Sequence, residues 1–379
     1  MADAPERFSL KDHLFNRDTM TRLGRLLAPV IPDLATNEFV AEVMAGMGPL
    51  ELKQRITHIA AIVDRYLPED YAQSIEMIMA ALPPPLDPSL SDGDFGDFIF
   101  APFGEIIVAR GLDPGSFDLS MDAIKQVTQR FSMEGPIRPF IDAYPHRTLA
   151  VLREWAGDES YHVRRLVSEG TRPLLPWAPR IRLVAPETVP LLDLLHADPT
   201  RYVTRSVANH LNDIAKTDPG LVVDTLRRWR AGGLQDELEL DWMARHALRT
   251  LIKRGDRAAL ELLGFSADPA VSVGPIIVVP AGPVRIGDPL RFEFEITAHG
   301  EEKLVVDYII DFVKKDGAAG PRVFKLKSID MRAGETRLLS KSHRMPASST
   351  TFTLYPGTHR LTVQVNGRQA SATEFELLA

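Results

Sequence analysis

The chain has 379 residues, no cysteine and a formal net charge of −7. Its 45% apolar and 25% charged content is that of a globular protein with room for two or three domains, not of a disordered chain. Without thiols, disulfides, zinc fingers and cysteine catalysis are excluded, and a reducing compartment is the natural home. The opening MADAPERFSLKDH has no apolar h-region, and no stretch approaches the roughly eighteen apolar residues of a membrane span. A cytoplasmic protein is expected. The negative total hides an asymmetry: between Arg138 and Arg257 lie 19 Lys and Arg against 16 Asp and Glu. Position steers a charged ligand more than net charge does, so the middle of the chain is where a polyanion would bind.

Residues 1–82 carry helical periodicity, with Leu23, Leu26 and Leu27 on one face and Ile56, Ile59, Ile62 and Val63 on another. Pro83-Pro84-Pro85 ends this block, because consecutive prolines neither donate nor continue a helix. In the following loop, Asp92, Asp94 and Asp97 open like a calcium loop. Gly96 and Phe103 then stand where ligands are needed, so an ordinary acidic turn is expected. Helical periodicity resumes near Ile99.

From residue 137 the chain repeats itself. Asp158-Glu-Ser-Tyr-His-Val-Arg-Arg aligns with Asp198-Pro-Thr-Arg-Tyr-Val-Thr-Arg, which places Asp158 on Asp198, Val163 on Val203 and Arg165 on Arg205 at an offset of 40. A third copy, Arg245-His-Ala-Leu-Arg, places Arg249 on Arg205 after a further 44. Such periods with paired amphipathic helices predict a HEAT-like α-solenoid whose second helices line a concave surface.

After Gly264 the pattern changes. Val271 to Val279 is β-branched, Phe292-Glu-Phe-Glu-Ile alternates with period two, and further runs cover 305–313, 322–326, 337–340 and 360–365. Gly317, Gly334, Pro356-Gly357 and Asn366-Gly367 punctuate them. Short strands at this density predict an immunoglobulin-like sandwich without the antibody Cys pair or core Trp. The expected organisation is thus a helical-repeat domain over 1–268 and an Ig-like domain over 272–379.

The usual catalytic signatures are missing: there is no His-Glu-x-x-His, no phosphate-cradling Gly loop and no Gly-x-Ser-x-Gly elbow. No metal and no cofactor are expected. What stands out is residues 131–182, where arginines, carboxylates and two tryptophans concentrate. Within it, His162-Val-Arg-Arg-Leu-Val-Ser-Glu-Gly-Thr-Arg-Pro-Leu-Leu-Pro-Trp177 resembles the signature of the AlkC-type bacterial DNA alkylation-repair glycosylases. Met133-Glu134, Ile137-Arg-Pro-Phe140 and the run from Tyr202 to Asp213 add to the resemblance, which extends over most of 5–265.

The resemblance implies a monofunctional glycosylase that removes cationic N3-alkylated bases such as 3-methyladenine and 3-methylcytosine, kinking duplex DNA without flipping the base. It implies Glu134, Glu169 and Trp177 as active-site residues. Among the DNA contacts it implies Arg165 and Arg172. Arg164, Arg205, Arg249 and Lys253 join them as basic residues of the repeats. One departure is visible: after the first glutamate the family carries a bulkier residue and Ala, and this chain carries Gly135-Pro136.

The residue types suit the chemistry. A base with a fixed positive charge is already an activated leaving group, so a carboxylate need only stabilise the oxocarbenium-like sugar. Blander roles stand beside these. Arg165, Arg205 and Arg249 can pair with Asp158 and Asp198 as glue between repeats, Asp158 can cap the helix beginning near Ser160, and Trp155, Trp229 and Trp242 sit among apolar neighbours as core residues. A non-catalytic repeat scaffold binding DNA or protein is the competing function. The expected partner is alkylated double-stranded DNA, bound by a monomer.

Overall fold

The computed structural model describes residues 9–87, 89, 95–347 and 352–379. Among them, helices run from Leu10–Leu14 to Arg257–Leu262 and all strands follow. This is the expected fold class, helical repeats followed by an Ig-like β-sandwich. Among the described residues no helix is long and apolar enough to cross a membrane.

Two compact units form, Met1–Ile214 with Gly233–Glu237 and Ala215–Gly232 with Leu238–Ala379. The change from helix to strand falls between Leu262 and Val271, so the last helices belong to the unit that contains the strands. The reason lies in the sandwich's own surface, described below.

In the first unit, Leu23, Leu27, Ile59, Ile62 and Val63 are buried as their spacing predicts. Of the acidic loop's three aspartates only Asp97 is among the described residues, and its carboxylate caps Ile99 N at 3.2 Å. The forty-residue repeat is legible in turn geometry. Asp158 Oδ1 accepts from Ser160 N at 2.9 Å, and Asp198 Oδ1 accepts from Thr200 N at 2.8 Å. Each Asp-x-Ser/Thr turn opens a helix, Tyr161–Gly170 and Arg201–Ile214, whose Val163 and Val203 are fully buried. Asp158 therefore organises the turn ahead of its helix, while Ser160 takes the N-cap position. Trp155 and Trp229 are core residues. Trp242 is half-buried and stacks on His246 with ring centroids 5.0 Å apart.

The third copy is less regular. Helix Glu237–Ala247 is followed by Leu248 at φ −88°, ψ 1°, and Arg249 then starts the short helix Arg249–Arg254. Arg205 by contrast lies inside an unbroken helix.

The strands are β1 (Val271–Val273), β2 (Ile277–Val278), β3 (Val284–Arg285), β4 (Pro289–Ala298), β5 (Glu302–Val313), β6 (Ala319–Met331), β7 (Thr336–Arg344), β8 (Gly357–Val365) and β9 (Arg368–Leu378). One sheet has the order β1-β4-β2 with β7 also on β4, and the other β3-β9-β8-β5-β6. Alternation on β4 buries Leu290, Phe292, Phe294 and Ile296 against Tyr308 and Ile310 of β5 and Leu361 and Val363 of β8. Phe292 and Tyr308 meet edge-on in this core, with ring centroids 5.2 Å apart. The sequence reading missed β9 because its SATEFELL run is mostly small and polar, with only Phe375 and Leu377 buried.

β5 is buried on both faces over most of its length, which an edge-free sheet surface alone would not give. The segment ahead of the strands meets this sheet, and Lys303 Nζ of β5 donates to Leu263 O at 3.0 Å. Gln364 Nε2 on β8 donates to Lys253 O at 3.1 Å, and Asn366 Nδ2 donates to Ser266 O at 2.8 Å. The β8–β9 turn, Asn366-Gly367, has φ of 46° and 78°, the left-handed pair of a tight hairpin. A Cβ on Gly367 would overlap the backbone of Gly255, the left-handed residue that ends helix Arg249–Arg254. Gly367→Ala is therefore expected to destabilise the second unit by at least about 1–2 kcal/mol from backbone conformation alone. A urea melt of the variant checks this, and a wild-type midpoint would show that the two backbones do not meet.

Candidate active site

The helix Tyr161–Gly170 supplies the centre of the site. Arg165 and Glu169, four residues apart, share a face, and both are buried. Arg165 Nη1 donates to Glu134 Oε2 at 2.9 Å, and its Nη2 lies 3.7 Å from Glu169 Oε2. One guanidinium is thus bracketed by two carboxylates. Ser132 Oγ donates to the same Glu134 oxygen at 2.8 Å. The turn bearing Glu134 is anchored by fully buried Met133, whose N–H donates to Thr128 Oγ1 at 3.2 Å.

Glu169 is also braced from the other side. Arg172 Nη1 donates to its Oε1 at 2.6 Å, and Ser206 Oγ lies 2.5 Å from its Oε2. Arg172 Nε in turn donates to buried Asp213 at 3.0 Å. Burial opposes ionisation of Glu169, but the Arg165 and Arg172 charges and the Ser206 hydrogen bond outweigh it and hold the carboxyl below the usual range. Arg165 lies with its guanidinium carbon 4.6 Å from the Tyr202 ring centre and 5.2 Å from that of Phe95. The Tyr202 hydroxyl is buried with no hydrogen-bond partner among the described residues, and burial pushes its ionisation upward. Behind this layer, His210 Nδ1 faces Ser168 O at 3.1 Å, and desolvation lowers the imidazole to about 4. It stays neutral near pH 7.

Trp177 is opposite in character, 73% exposed. Its backbone sits in the left-handed region at φ 62°, a conformation that costs a bulky residue of order 1 kcal/mol and persists only where surroundings impose it. The imposing groups are two cations. Buried Arg138 donates to Gly170 O and Arg172 O at 2.9 Å each and to Pro179 O at 2.9 and 2.7 Å, clasping both ends of the Trp177 loop. Lys53 Nζ donates to Trp177 O. Glu134, Arg165, Glu169, Trp177, Tyr202 and Arg205 line one cleft of about 230 Å³.

The structure therefore brings together Glu134, Glu169 and Trp177 with Arg165, Arg172 and Arg205. It does not bring in Arg164, whose Nε and Nη2 lie 2.5 and 3.2 Å from the two Asp198 oxygens and whose Nη1 donates to the carbonyls of Asp158 and Glu159. The bridge between repeats thus runs through Arg164, which the sequence left open to either role, and not through Arg165. Arg172 is likewise occupied with two carboxylates. Arg249 and Lys253 belong to the second compact unit, with Arg249 Nη1 donating to His246 O and the Lys253 side chain exposed. Among the described residues no His, Asp and Glu group has the arrangement of a metal site.

Sequence reasoning passed over Arg138, Ser206 and Asp213 as site residues. For the last two a signal existed: Tyr202, Ser206, Asn209 and Asp213 recur at helical spacing on a largely buried helix. A polar stripe on a buried helix needs partners, and here they are Arg172 and Glu169.

Helical repeats that gather buried carboxylates, their arginine partners and a strained, exposed tryptophan at one cleft, followed by an Ig-like sandwich, define a repeat scaffold with a built active-site-like centre. A family model described as the uncharacterised protein YhaZ, C-terminal Ig-like domain, matches residues 277–379. The uncharacterized protein YhaZ of Bacillus subtilis (strain 168) is 30% identical over 368 residues, covering 96% of this chain and 98% of that one. The structure of Pseudomonas fluorescens alkylpurine DNA glycosylase AlkC bound to DNA containing an abasic site analog is similar at a TM-score of 0.87 and 34% identity, covering 98% of this chain and 100% of that chain. The chain belongs to the AlkC family.

Proposed function

We propose that this protein is a monofunctional DNA glycosylase that hydrolyses the N-glycosidic bond of cationic N3-alkylated bases, 3-methyladenine and 3-methylcytosine among them. It acts on duplex DNA as a cytoplasmic monomer and without flipping the base. Full-length likeness to a solved alkylpurine DNA glycosylase supports the reaction class. The observation that carries the chemistry is the pair Glu134 and Glu169, bracketing one guanidinium in the cleft rimmed by exposed Trp177.

The steps follow from these groups. The base leaves with the electron pair of its C1′–N bond, which neutralises its positive charge and needs no acid. Positive charge then develops on the sugar, where a carboxylate stabilises it. Water bonds to C1′ and gives its proton to the carboxylate and then to solvent, leaving an abasic site. Glu134, the more exposed carboxylate at 30% of its side-chain surface against 7% for Glu169, is the one water reaches. Glu169, kept anionic by its arginines, supplies the fixed negative charge. Trp177 packs its exposed face on the sugar or the cationic base. Arg205, Arg249 and Lys253 are the phosphate contacts in this reading, while Arg164, Arg165 and Arg172 act by holding carboxylates.

The test is incubation of the full chain with DNA treated with a methylating agent, scored for abasic sites and free base. Release of 3-methyladenine and 3-methylcytosine is expected. DNA binding without any abasic site would leave the scaffold reading in its place.

A further inference from the structure

Beyond Glu134 the cleft continues into a larger space of about 560 Å³. The two share Phe95, Glu134, Pro176 and Trp177. The second space is walled by apolar groups, among them Ile56, Phe98, Val108 and Met133. Ile56 is only half-buried although its helix periodicity predicts a core position; this wall is what it faces instead.

Gly135 and Pro136 border the space. Chain neighbours aside, a Cβ on Gly135 would meet nothing within 4 Å among the described residues, and its φ is not in the left-handed region, so the backbone there accepts a side chain. Pro136 works oppositely, by contact. A Cβ on Gly104 of helix Ala101–Gly111 would overlap Pro136 Cγ and lie 3.1 Å from Met133 Sδ. The turn carrying Glu134 is thus pressed against that helix, while the glycine beside it leaves room.

The adduct's own chemistry says what such room serves. In an N3-alkylated purine the alkylated nitrogen is two bonds from the glycosidic nitrogen, through C4. An alkyl group there lies beside the bond that breaks. A carboxylate set against the sugar carbon is therefore set against the alkyl group as well, and the apolar space adjoining Glu134 is within that group's reach. The carboxylate at its mouth matches the cationic ring, and the apolar wall matches the hydrocarbon.

We infer, resting on the glycosylase reading above, that this space is an alkyl-group pocket whose depth Gly135 sets, and that the substrates extend from methyl to longer N3-alkyl adducts. Gly135→Leu places a side chain at the border of this space and shortens the pocket there.

The experiment is single-turnover base release by the full-length protein from duplex DNA carrying 3-methyladenine or 3-butyladenine, with released bases separated by chromatography. Wild type is expected to release the butyl adduct within about tenfold of the methyl adduct, and Gly135→Leu to lower the butyl-to-methyl ratio by about tenfold or more, the scale on which fitted apolar pockets discriminate. Gly135→Ala gives a smaller step in the same direction and keeps the test decisive if the leucine variant does not fold. Methyl release with butyl release more than about tenfold slower in wild type overturns the pocket and leaves the glycosylase reading standing. An unchanged ratio in both variants overturns the role of Gly135. Release of neither adduct overturns the glycosylase reading itself, and the pocket with it.

Discussion

A Glu169→Gln variant is expected to release 3-methyladenine or 3-methylcytosine about 10²–10³-fold more slowly than wild type under single-turnover conditions, the scale of losing one preorganised electrostatic group. The substitution keeps the side chain's shape and its contact with Ser206 but removes the negative charge. It leaves no arginine stranded, because Arg165 retains Glu134 and Arg172 retains Asp213. The fold should therefore survive, with a modest fall in melting temperature. The same geometry fixes the pH dependence in the wild type. Glu169 is held below the usual carboxylate range, so it stays ionised as pH falls from 8 to 5, and any loss of release from its protonation begins only below about pH 4.3. Wild-type release by a folded Glu169→Gln protein would move the electrostatic role to Glu134.

How much of this was readable in the sequence depends on the range of the interaction. The repeat was legible because its marks are local: an Asp-x-Ser/Thr turn opens each helix, and a buried valine follows at the same distance. Glu169 and Trp177 stood out through a family signature. The division of labour between Arg164 and Arg165 was not legible. Adjacent helical residues point about 100° apart, and only the packing of helix Arg201–Ile214 decides which one meets Asp198. Arg138 was hidden for a related reason. Its partners are backbone carbonyls 32 to 41 residues away, and no sequence pattern distinguishes an arginine that clasps a loop from one that faces solvent. The two-sided burial of β5 was visible as an apolar run, while the approach of the segment ahead of the strands follows from the meeting of Gly255 and Gly367.

Arg165→Met is expected to cost about 3–5 kcal/mol, the range for removing one partner of a buried ionic cluster. Methionine keeps the unbranched volume that packs between Phe95 and Tyr202 but leaves Glu134 and Glu169 without the charge between them. The pH dependence has a definite sign. In the wild type Glu169 is ionised in both folded and unfolded chains above about pH 5, and its stabilisation is lost only as pH falls below about 4.3 toward its lowered folded value. Without Arg165 the folded carboxyl rises, so the folded variant takes up a proton earlier. The gap in stability between variant and wild type should be widest near pH 7 and narrow as pH falls through that raised value. Adding Glu169→Gln to Arg165→Met removes the stranded charge, and the double variant should melt above the Arg165→Met single variant, a coupling that two independent sites would not show. Thermal melts of the three variants from pH 7 to pH 4.5 measure all of this. A single variant that melts like wild type at pH 7, or a double variant whose losses simply add, would mean that Arg165 does not hold the two carboxylates together.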